Sequence, residues 1–583
     1  MMKTHIINRY IPVKYILIGF LSVFIVFSSC DEEEFLEETP KDFYSPEIAY
    51  VTYGDFDAAV LNIHDRIRSE FYTADNTGFR ALSWGLTDLA YPHKQFGPQY
   101  DVESMLLPTT GFIYGVWQEC YHIIYDANVI MERTDSEENK LTESQKKKIK
   151  AEAAFFRAFG HRVLAHMYGD VPIVLEETKK PTRDYTRAPR QDVYEQCVAD
   201  LEYAVENLPG IGEVEDASRI SDLAASHLLA ELYIALERWQ DAIDATTAVI
   251  DHSATSLMTE RFGNKVENPL LLGFNDNPNF DGDVYWDLFY KGNQARSIGN
   301  TETIWLMPFA YNVPGGGGGG PGVRCQVPRL WQLKVKNEDG SEVQIIPHPN
   351  ENYGGRGGGF SRCSPYFEEE LWEKSGESDI RNAPHNIIRD WQVRNPASDH
   401  NGKWLIKDDL PYPYENFTDT MRDFYPLVAK GTTMGNFPNE LLIDDQTVAG
   451  SIGHSGPCKR DWKDHYAIRL AETYLLRAEA YLGAGNAGAA AEDINVVRRR
   501  VQAPEITAGD VTIDFILDER MRELHFESHY LLHTNRLGKT VERIRAHFPQ
   551  LAKTIRDHHI LWPIPYDDIE KNLEAELEQN PGY

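Results

Sequence analysis

Large apolar residues recur every three or four positions through Gly111–Thr134 (GFIYGVWQECYHIIYDANVIMERT) and again through residues 148–174 (KIKAEAAFFRAFGHRVLAHMYGDVPIV). That is the period of a helix with a buried face. The second run predicts its own stop, because Gly169 and Pro172 follow its last periodic residue. Helical periodicity dominates from about Asp55 to Asn207. Between about His252 and Cys458 it is lost: Gly, Pro, Asn and Trp interrupt every short apolar run, GGGGGG (315–320) and GGRGGG (354–359) appear, and only short helices are expected. Helices resume from Asp461 and finish in LWPIPYDDIEKNLEAELEQNPGY, whose prolines predict an extended, packed tail. The chain therefore reads as mainly α, with helical portions over 51–251 and 461–583 and a loop-rich excursion over 252–460, all in one continuous body. Long loops on a rigid scaffold are where a recognition surface is expected.

One internal repeat is visible. LLAELYIALERWQDAIDATTAVI and LRAEAYLGAGNAGAAAEDINVV superpose with Ala230 on Ala478, Glu231 on Glu479, Tyr233 on Tyr481 and Ala242 on Ala490. Small residues at these places let two helices cross closely, as in a tetratricopeptide pair. Each such pair leaves an apolar face open that neighbouring helices must cover.

The N-terminus has a different pattern. Lys3, Arg9 and Lys14 precede an apolar run from Tyr15 to Phe27, then come Ser28, Ser29 and Cys30. The run is shorter than the roughly 20 apolar residues that span a membrane, so it reads as an export signal over 1–29. Small residues before a cysteine are what a bacterial lipoprotein signal peptidase reads, which makes Cys30 the expected first mature residue and the site of lipidation. Buried acyl chains contribute about 0.8 kcal/mol per methylene, and more than one chain makes anchoring stable. The acidic, proline-punctuated stretch over 30–50 then reads as a spacer between lipid and body.

Composition narrows the function. The formal net charge is −32, and loss of a leader with three cations and no acid takes it to −35. Such a surface repels phosphate backbones and anionic headgroups, so nucleic acid is excluded as a partner. The 30 Tyr and 11 Trp leave a surplus of flat rings beyond the needs of a core. Apart from Cys30, the five cysteines (Cys120, Cys197, Cys325, Cys363 and Cys458) have no paired spacing, so no zinc framework is expected and at least one thiol should be unpaired within the chain.

Several local patterns bear on chemistry. His525, His529 and His533 fall four apart and so are expected to line one helix face, which could present imidazoles to a metal, yet Glu527 does not complete a zinc-protease motif and packing is the expected role. NPNFDG (277–282) resembles the start of a calcium loop, but the closing acid falls on Leu288. A looser site using Asp281, Asp283 or Asp287 is the weak alternative to a solvated turn. GHSGP (453–457) lacks the spacing of a nucleophile elbow and reads as a turn. The glycine runs lack a following Lys-Ser or Lys-Thr, so they read as mobile loops and not as phosphate cradles. Paired carboxylates for glycoside hydrolysis are a spatial matter among 90 acids. No cofactor is implied. Ring chemistry remains: the C–H faces of sugars lie flat on indole or phenol while their hydroxyls need polar partners at the edge.

In order along the chain, AEAAFFRAFGHRVLAHMYGDVPIV (with Arg157, Ala158, Tyr168, Gly169, Asp170, Val171 and Pro172), RAPRQDVYEQCVADLEYAVENLP (with Arg187, Tyr194, Asp200, Leu201 and Pro209), IRLAETYLLRAEAYL, INVVRRR, ILDERMRELHFES, LWPIP and QNPGY behind a lipobox resemble the SusD/RagB family of outer-membrane nutrient-binding lipoproteins. The resemblance implies a helical body of tetratricopeptide-like pairs with an irregular, ligand-facing portion. It implies a non-catalytic lipoprotein, anchored at the outer membrane and facing the exterior, that binds an oligosaccharide and delivers it to a SusC-like TonB-dependent transporter. The alternatives are a peptide-capturing member of the same family and, from a different class, a glycoside hydrolase. In resembling starch-binding members part of the platform follows a Thr-Asp step in the early helices; here Trp84, Tyr91, His93, Phe96 and Tyr100 surround Asp88 or follow it. The loop-rich excursion adds Trp286, Tyr290, Trp305, Tyr311 and Trp331 as candidates. One departure stands out: ESHYLLHTNR puts Ser528 for the family's Gly, Tyr530 near its Arg and His533 near its Asp, which leaves a buried ion pair there open.

Overall fold

The structure is a computed structural model that describes residues 49–73, 82–83, 85–92, 101–214, 217–265, 282–411, 422–444 and 448–583. Cys30, Trp84, His93, Phe96, Tyr100 and Asp281 lie outside them, and Tyr91 is described by its backbone alone. The chain divides into two units, Met1–Val51 and Thr52–Tyr583, and the fold is that of the second.

The fold is mainly α. Counting helices of seven residues or more among the described residues, α1 is Tyr53–Phe71, α2 Gly111–Thr134, α3 Glu143–Tyr168, α4 Arg190–Asn207, α5 Asp222–Ala235, α6 Trp239–Ile250, α7 Leu470–Gly483, α8 Ala487–Arg500, α9 Ile513–Leu524, α10 Tyr530–Arg536 and α11 Thr540–His547. Helix α3 is the central one and starts on a capping box: the Thr142 N–H donates to Gln145 Oε1 at 2.9 Å, and the Gln145 N–H returns to Thr142 Oγ1 at 3.3 Å. It ends where Gly169 turns to a positive φ of 78°. Every residue from Ala151 to Tyr168 is buried, so its polar side chains must find partners inside. Arg157 forms a fork with Asp200 of α4 at 2.6 and 2.8 Å, and Arg162 does the same with Glu231 of α5 at 2.7 and 3.0 Å. A methyl at Gly160 would stand 2.9 Å from Ile124 and 3.0 Å from the Cys120 carbonyl, so the glycine sets the close crossing of α2 and α3.

The repeat folds as two helix pairs, α5–α6 and α7–α8, with α6 packed on α7. Ala230, Ala242, Ala478 and Ala490 are fully buried at the crossings. The matching glutamates have a shared partner: Arg536 of α10 forks onto Glu479 at 2.7 and 2.8 Å and lies 3.8 Å from Glu231. Trp239 packs so tightly on α7 that a methyl at Gly483 would stand 2.5 Å from its ring.

The stretch between α6 and α7 is built from short strands and turns. β1 (Ala90–Pro92), from the early part of the chain, pairs with β5 (Ser361–Cys363); β2 (Thr303–Met307) pairs with β8 (His465–Arg469), β3 (Lys334–Lys336) with β4 (Glu342–Gln344), and β6 (Ile387–Ile388) with β7 (Leu427–Val428), all antiparallel. They enclose their own apolar cluster, which includes Val323, Val327, Leu333, Trp391, Phe437 and Trp462. Of the glycine runs expected to be mobile, 354–359 is packed and so is the end of 315–320. A methyl at Gly357 would sit 2.1 Å from the Pro328 carbonyl oxygen and one at Gly358 would sit 2.3 Å from that of Arg324. Glycine is there because backbone meets backbone.

Buried charge joins this portion to the helices. Arg469 reaches Glu302, Glu523 and Glu527 at 2.8, 2.8 and 2.7 Å, Arg500 reaches Glu302 at 2.9 Å and also Glu523, and Arg381 reaches Glu523 at 3.1 Å and Glu519 at 2.8 Å. Burial opposes ionisation of Glu523, but Arg500, Arg469 and Arg381 hold its carboxyl well below the usual range.

The histidine trio does not line one face. Helix α9 ends at Leu524 and α10 begins at Tyr530, so His525 and His529 occupy the turn between them. All three are buried and packed: His525 lies 3.5 Å from the Cys363 sulfur, His529 Nε2 lies 3.1 Å from the Phe71 carbonyl oxygen, and His533 Nε2 lies 2.7 Å from Arg520. His533 also lies 3.2 Å from Glu472, itself paired with Arg520, while the departing segment retains buried ion pairs through Glu527 with Arg469 and Arg536 with Glu479, each at 2.7 Å. No cluster of metal-binding side chains occurs among the described residues. Asp283 caps the helix Val284–Phe289 through the Trp286 N–H at 2.7 Å and meets His385 at 2.7 Å, while Asp287 is paired with Arg261. The five described cysteines are all buried and free.

Candidate functional site

The sequence candidates separate by burial. Trp305, on β2, is 1% exposed; its indole N–H donates to the Ser218 carbonyl at 3.1 Å and its ring meets Phe155 edge-on at 5.4 Å. It is core, closed to any ligand. Trp286 is 6% exposed and, with Tyr290, borders a crevice of about 20 Å³, room for a water and not for a sugar ring. Tyr290, Tyr311 and Trp331 are partly buried rings packed on one apolar cluster, and Tyr311 meets Trp462 edge-on at 5.0 Å.

Trp331 is the best built of these. Its indole N–H donates to the Gly357 carbonyl at 3.0 Å, which ties the ring to the glycine loop. From the same loop the Arg356 guanidinium stands over the ring, 5.4 Å from its centroid, and the exposed His454 meets it edge-on at 5.4 Å. Arg356 also donates to the His454 carbonyl, and His348 lies 6.2 Å from the His454 ring. Partial burial, then Arg356 and His348, push the His454 imidazole below its ordinary value, so at neutral pH it is uncharged and offers one donor and one acceptor.

The far end of the loop repeats the theme. Phe360 is half-buried between two guanidiniums, Arg324 at 5.2 Å and Arg422 at 4.9 Å from its centroid, and Arg422 donates to the carbonyls of Gly358 and Gly359. β5 comes directly after Phe360 and pairs Arg362 with Tyr91. The early Thr-Asp step is thereby brought to the glycine loop. Asp88 is buried and accepts from Arg543 of α11 at 2.9 Å, and its carbonyl accepts from Ser364 Oγ at 2.6 Å, which pins the chain just before Tyr91. Sequence reasoning missed Phe360, Arg356 and His454. The signal available was GHSGP, a turn whose exposed histidine meets the Trp331 ring edge-on.

Residues 98–234 match a family described as starch-binding and associating with the outer membrane, and residues 330–583 match the SusD family. The chain belongs to the SusD/RagB family. Over 96% of its length it is 25% identical to the SusD-like protein P25 of Formosa agariphila, covering 98% of that protein, and over 97% it is 26% identical to SusD-like protein P2 of the same organism, covering 99%. Among solved structures it resembles a laminarin-binding SusD-like protein (TM-score 0.64, 20% identity, 92% of this chain and 100% of that one). It also resembles surface glycan-binding protein A from Bacteroides thetaiotaomicron in complex with laminarihexaose (TM-score 0.63, 17% identity, 91% and 100%). Among the described residues of this SusD/RagB member no helix is long and apolar enough to cross a membrane.

Proposed function

We propose that the chain is a non-catalytic surface lipoprotein that captures an oligosaccharide on the Trp331–Phe360 platform and passes it to a SusC-like TonB-dependent transporter, with Cys30 carrying the lipid. The observation that bears most weight is Trp331, a half-buried indole fixed by the Gly357 carbonyl under the Arg356 guanidinium. A sugar face stacks on such a ring, and the guanidinium and neutral imidazole at its border supply directional partners for hydroxyls. The laminarin and laminarihexaose named for two structural neighbours support carbohydrate over peptide, as does the starch-binding description of the family matched by residues 98–234.

Calorimetry of the purified full chain against hexasaccharides of maltose, laminaribiose, cellobiose, xylobiose and mannobiose type tests the capture step. Saturable binding to one of them, lost in Trp331→Ala with no sugar released on incubation, is the expected result. Binding only to a peptide pool, or steady release of shorter sugars, would overturn it. Incorporation of labelled palmitate that stops in Cys30→Ser tests the anchor separately.

A further inference from the structure

We propose a second carbohydrate site, distinct from the platform, in the cleft between α2 and the C-terminal tail. Tyr114, Trp117, Gln118, Tyr121, His122 and Tyr125 follow one another at helical spacing along one side of α2 and line a cavity of about 410 Å³. A stripe at that spacing is ordinarily core, but α2 already has a core face in Ile113, Val116, Cys120, Ile123, Ile124 and Ala127. The aromatic stripe is a second face, and Tyr125 at its end is 42% exposed. The cavity falls within the roughly 300–1,000 Å³ of small-molecule sites.

The cleft is preformed. Its floor is fixed by the Trp117 indole N–H donating to Asp568 at 2.5 Å and by the Tyr121 hydroxyl donating to the Pro172 carbonyl at 2.9 Å. Asn572 holds the opposite wall by bonding both the N–H and the carbonyl of Tyr185, at 2.9 and 2.8 Å. Around this frame the hydroxyls of Tyr114, Tyr125, Tyr185 and Thr178 and the amide of Gln118 have no hydrogen-bond partner among the described residues.

Those features select the ligand. Each unused group both donates and accepts, which matches a ligand rich in hydroxyls. A proline-rich segment also docks on aromatic grooves, but its imide nitrogens bring no N–H donors for the unused acceptors. Few charges line the cleft: Asp568 accepts from Trp117, His122 Nδ1 lies 3.5 Å from Arg66, and Lys571, 67% exposed, sits at the rim 3.7 Å from Asp567 with its Nζ 5.9 Å from the Tyr114 centroid. A neutral ligand with flat apolar faces fits best. From Tyr114 to Tyr125 the helix rises about 16 Å, with a ring near each turn of about 5.4 Å, close to the length of one linked pyranose. The stripe therefore suits a run of about three sugar units.

Hydroxyl-radical footprinting of the full chain with malto-, laminari-, cello-, xylo- and mannohexaose, and with decaproline as the competing class, tests this. At least one hexasaccharide is expected to protect Tyr114 and Tyr125, with the protecting concentration raised tenfold or more in the doubly substituted Gln118→Ala, Tyr125→Ala chain and unchanged in Trp331→Ala. Protection by decaproline alone, protection by none of the sugars, or protection that Trp331→Ala removes would each overturn the proposal. Loss at Trp331 with persistence at Tyr125 would support this site and count against the platform, so the two readings fail separately.

Discussion

Two tryptophans from the same irregular stretch teach opposite lessons. Trp305 is enclosed by Phe155, Phe159 and His64, its N–H satisfied by Ser218, whereas Trp331 is half-buried with a guanidinium over it. The arginines of the two regions divide the same way. Where the loop-rich portion meets the helices, Arg469, Arg500 and Arg381 are closed on carboxylates. At the platform Arg356 and Arg422 give their hydrogen bonds to main-chain carbonyls, which orient the guanidiniums without neutralising them. A satisfied ring or charge holds the fold together; one oriented but left open is available to a ligand. Substitutions in body and platform should therefore divide between stability and binding along that line.

The largest effect belongs to the buried charge. Glu523→Ala takes a shared carboxylate from three buried guanidiniums at once, although Arg469 and Arg500 keep Glu302 and Arg381 keeps Glu519; breaking a buried pair costs about 3–5 kcal/mol, so the midpoint of urea unfolding should fall steeply. If the variant is as stable as the parent, the network is not what joins the loop-rich portion to the helices. Acid probes buried groups across the helical body. His227 and His529 are pushed down to about 4, and His161 and His166 to about 3, by burial foremost. Unfolded, each titrates near 6.5, so below that pH the unfolded state binds more protons and stability falls as pH drops from about 6.5 toward 3. Glu519 adds a loss from its ordinary 4.5 down to about 2, as its arginine partners lose their counter-charge. Sugar binding at the platform should stay flat above about pH 7.5, because partial burial holds His454 below the ordinary imidazole value of about 6.5. A transition midpoint that is level from pH 7 to pH 4 would contradict the burial assigned to these histidines.

Trp331→Ala should invert the pattern. A central aromatic anchor is worth about 2 kcal/mol or more in binding, roughly thirtyfold in Kd, while a half-buried ring tied to a loop should cost less than about 1 kcal/mol in stability. Trp305→Ala should do the reverse, at about 3–5 kcal/mol of stability. Equal losses from both would erase the distinction. Gly483→Ala is smaller: its methyl meets the Trp239 ring at 2.5 Å, so α6 and α7 must part, at about 1–3 kcal/mol for overpacking. Calorimetric unfolding measures it, and an unchanged transition would mean that the two helix pairs stack less tightly than the Trp239 contact implies.

What was legible in the sequence depended on range. Helix α3 declared itself because its period and its Gly169 stop are both local. The repeat was legible because its alanines answer to a crossing only a few turns away. The break between α9 and α10 was not, since the fourfold histidine spacing continues through it and what ends the helix is the burial of His525 and His529 against Cys363 and Phe71. Nor could composition tell Trp305 from Trp331: what buries the first comes from Ser218 and Phe155, far off in the chain. The second glycine run was misread for the same reason, because the backbone it admits belongs to Arg324 and Pro328.

The finest test separates orientation from charge at the platform. Arg356→Lys keeps the cation but loses the planar fork that lies over Trp331 and reaches the His454 carbonyl. Cation–π contacts at exposed sites are worth about 0.5–1 kcal/mol, so sugar affinity should drop about two- to fivefold with no change in the unfolding transition. If lysine serves as well as arginine, the cation acts only as a point charge and the planar arrangement over the indole is incidental. If affinity falls as far as in Trp331→Ala, the guanidinium is itself the principal contact and the ring its support. Only the intermediate result fits a platform in which the ring supplies the stacking surface and the guanidinium the directional edge.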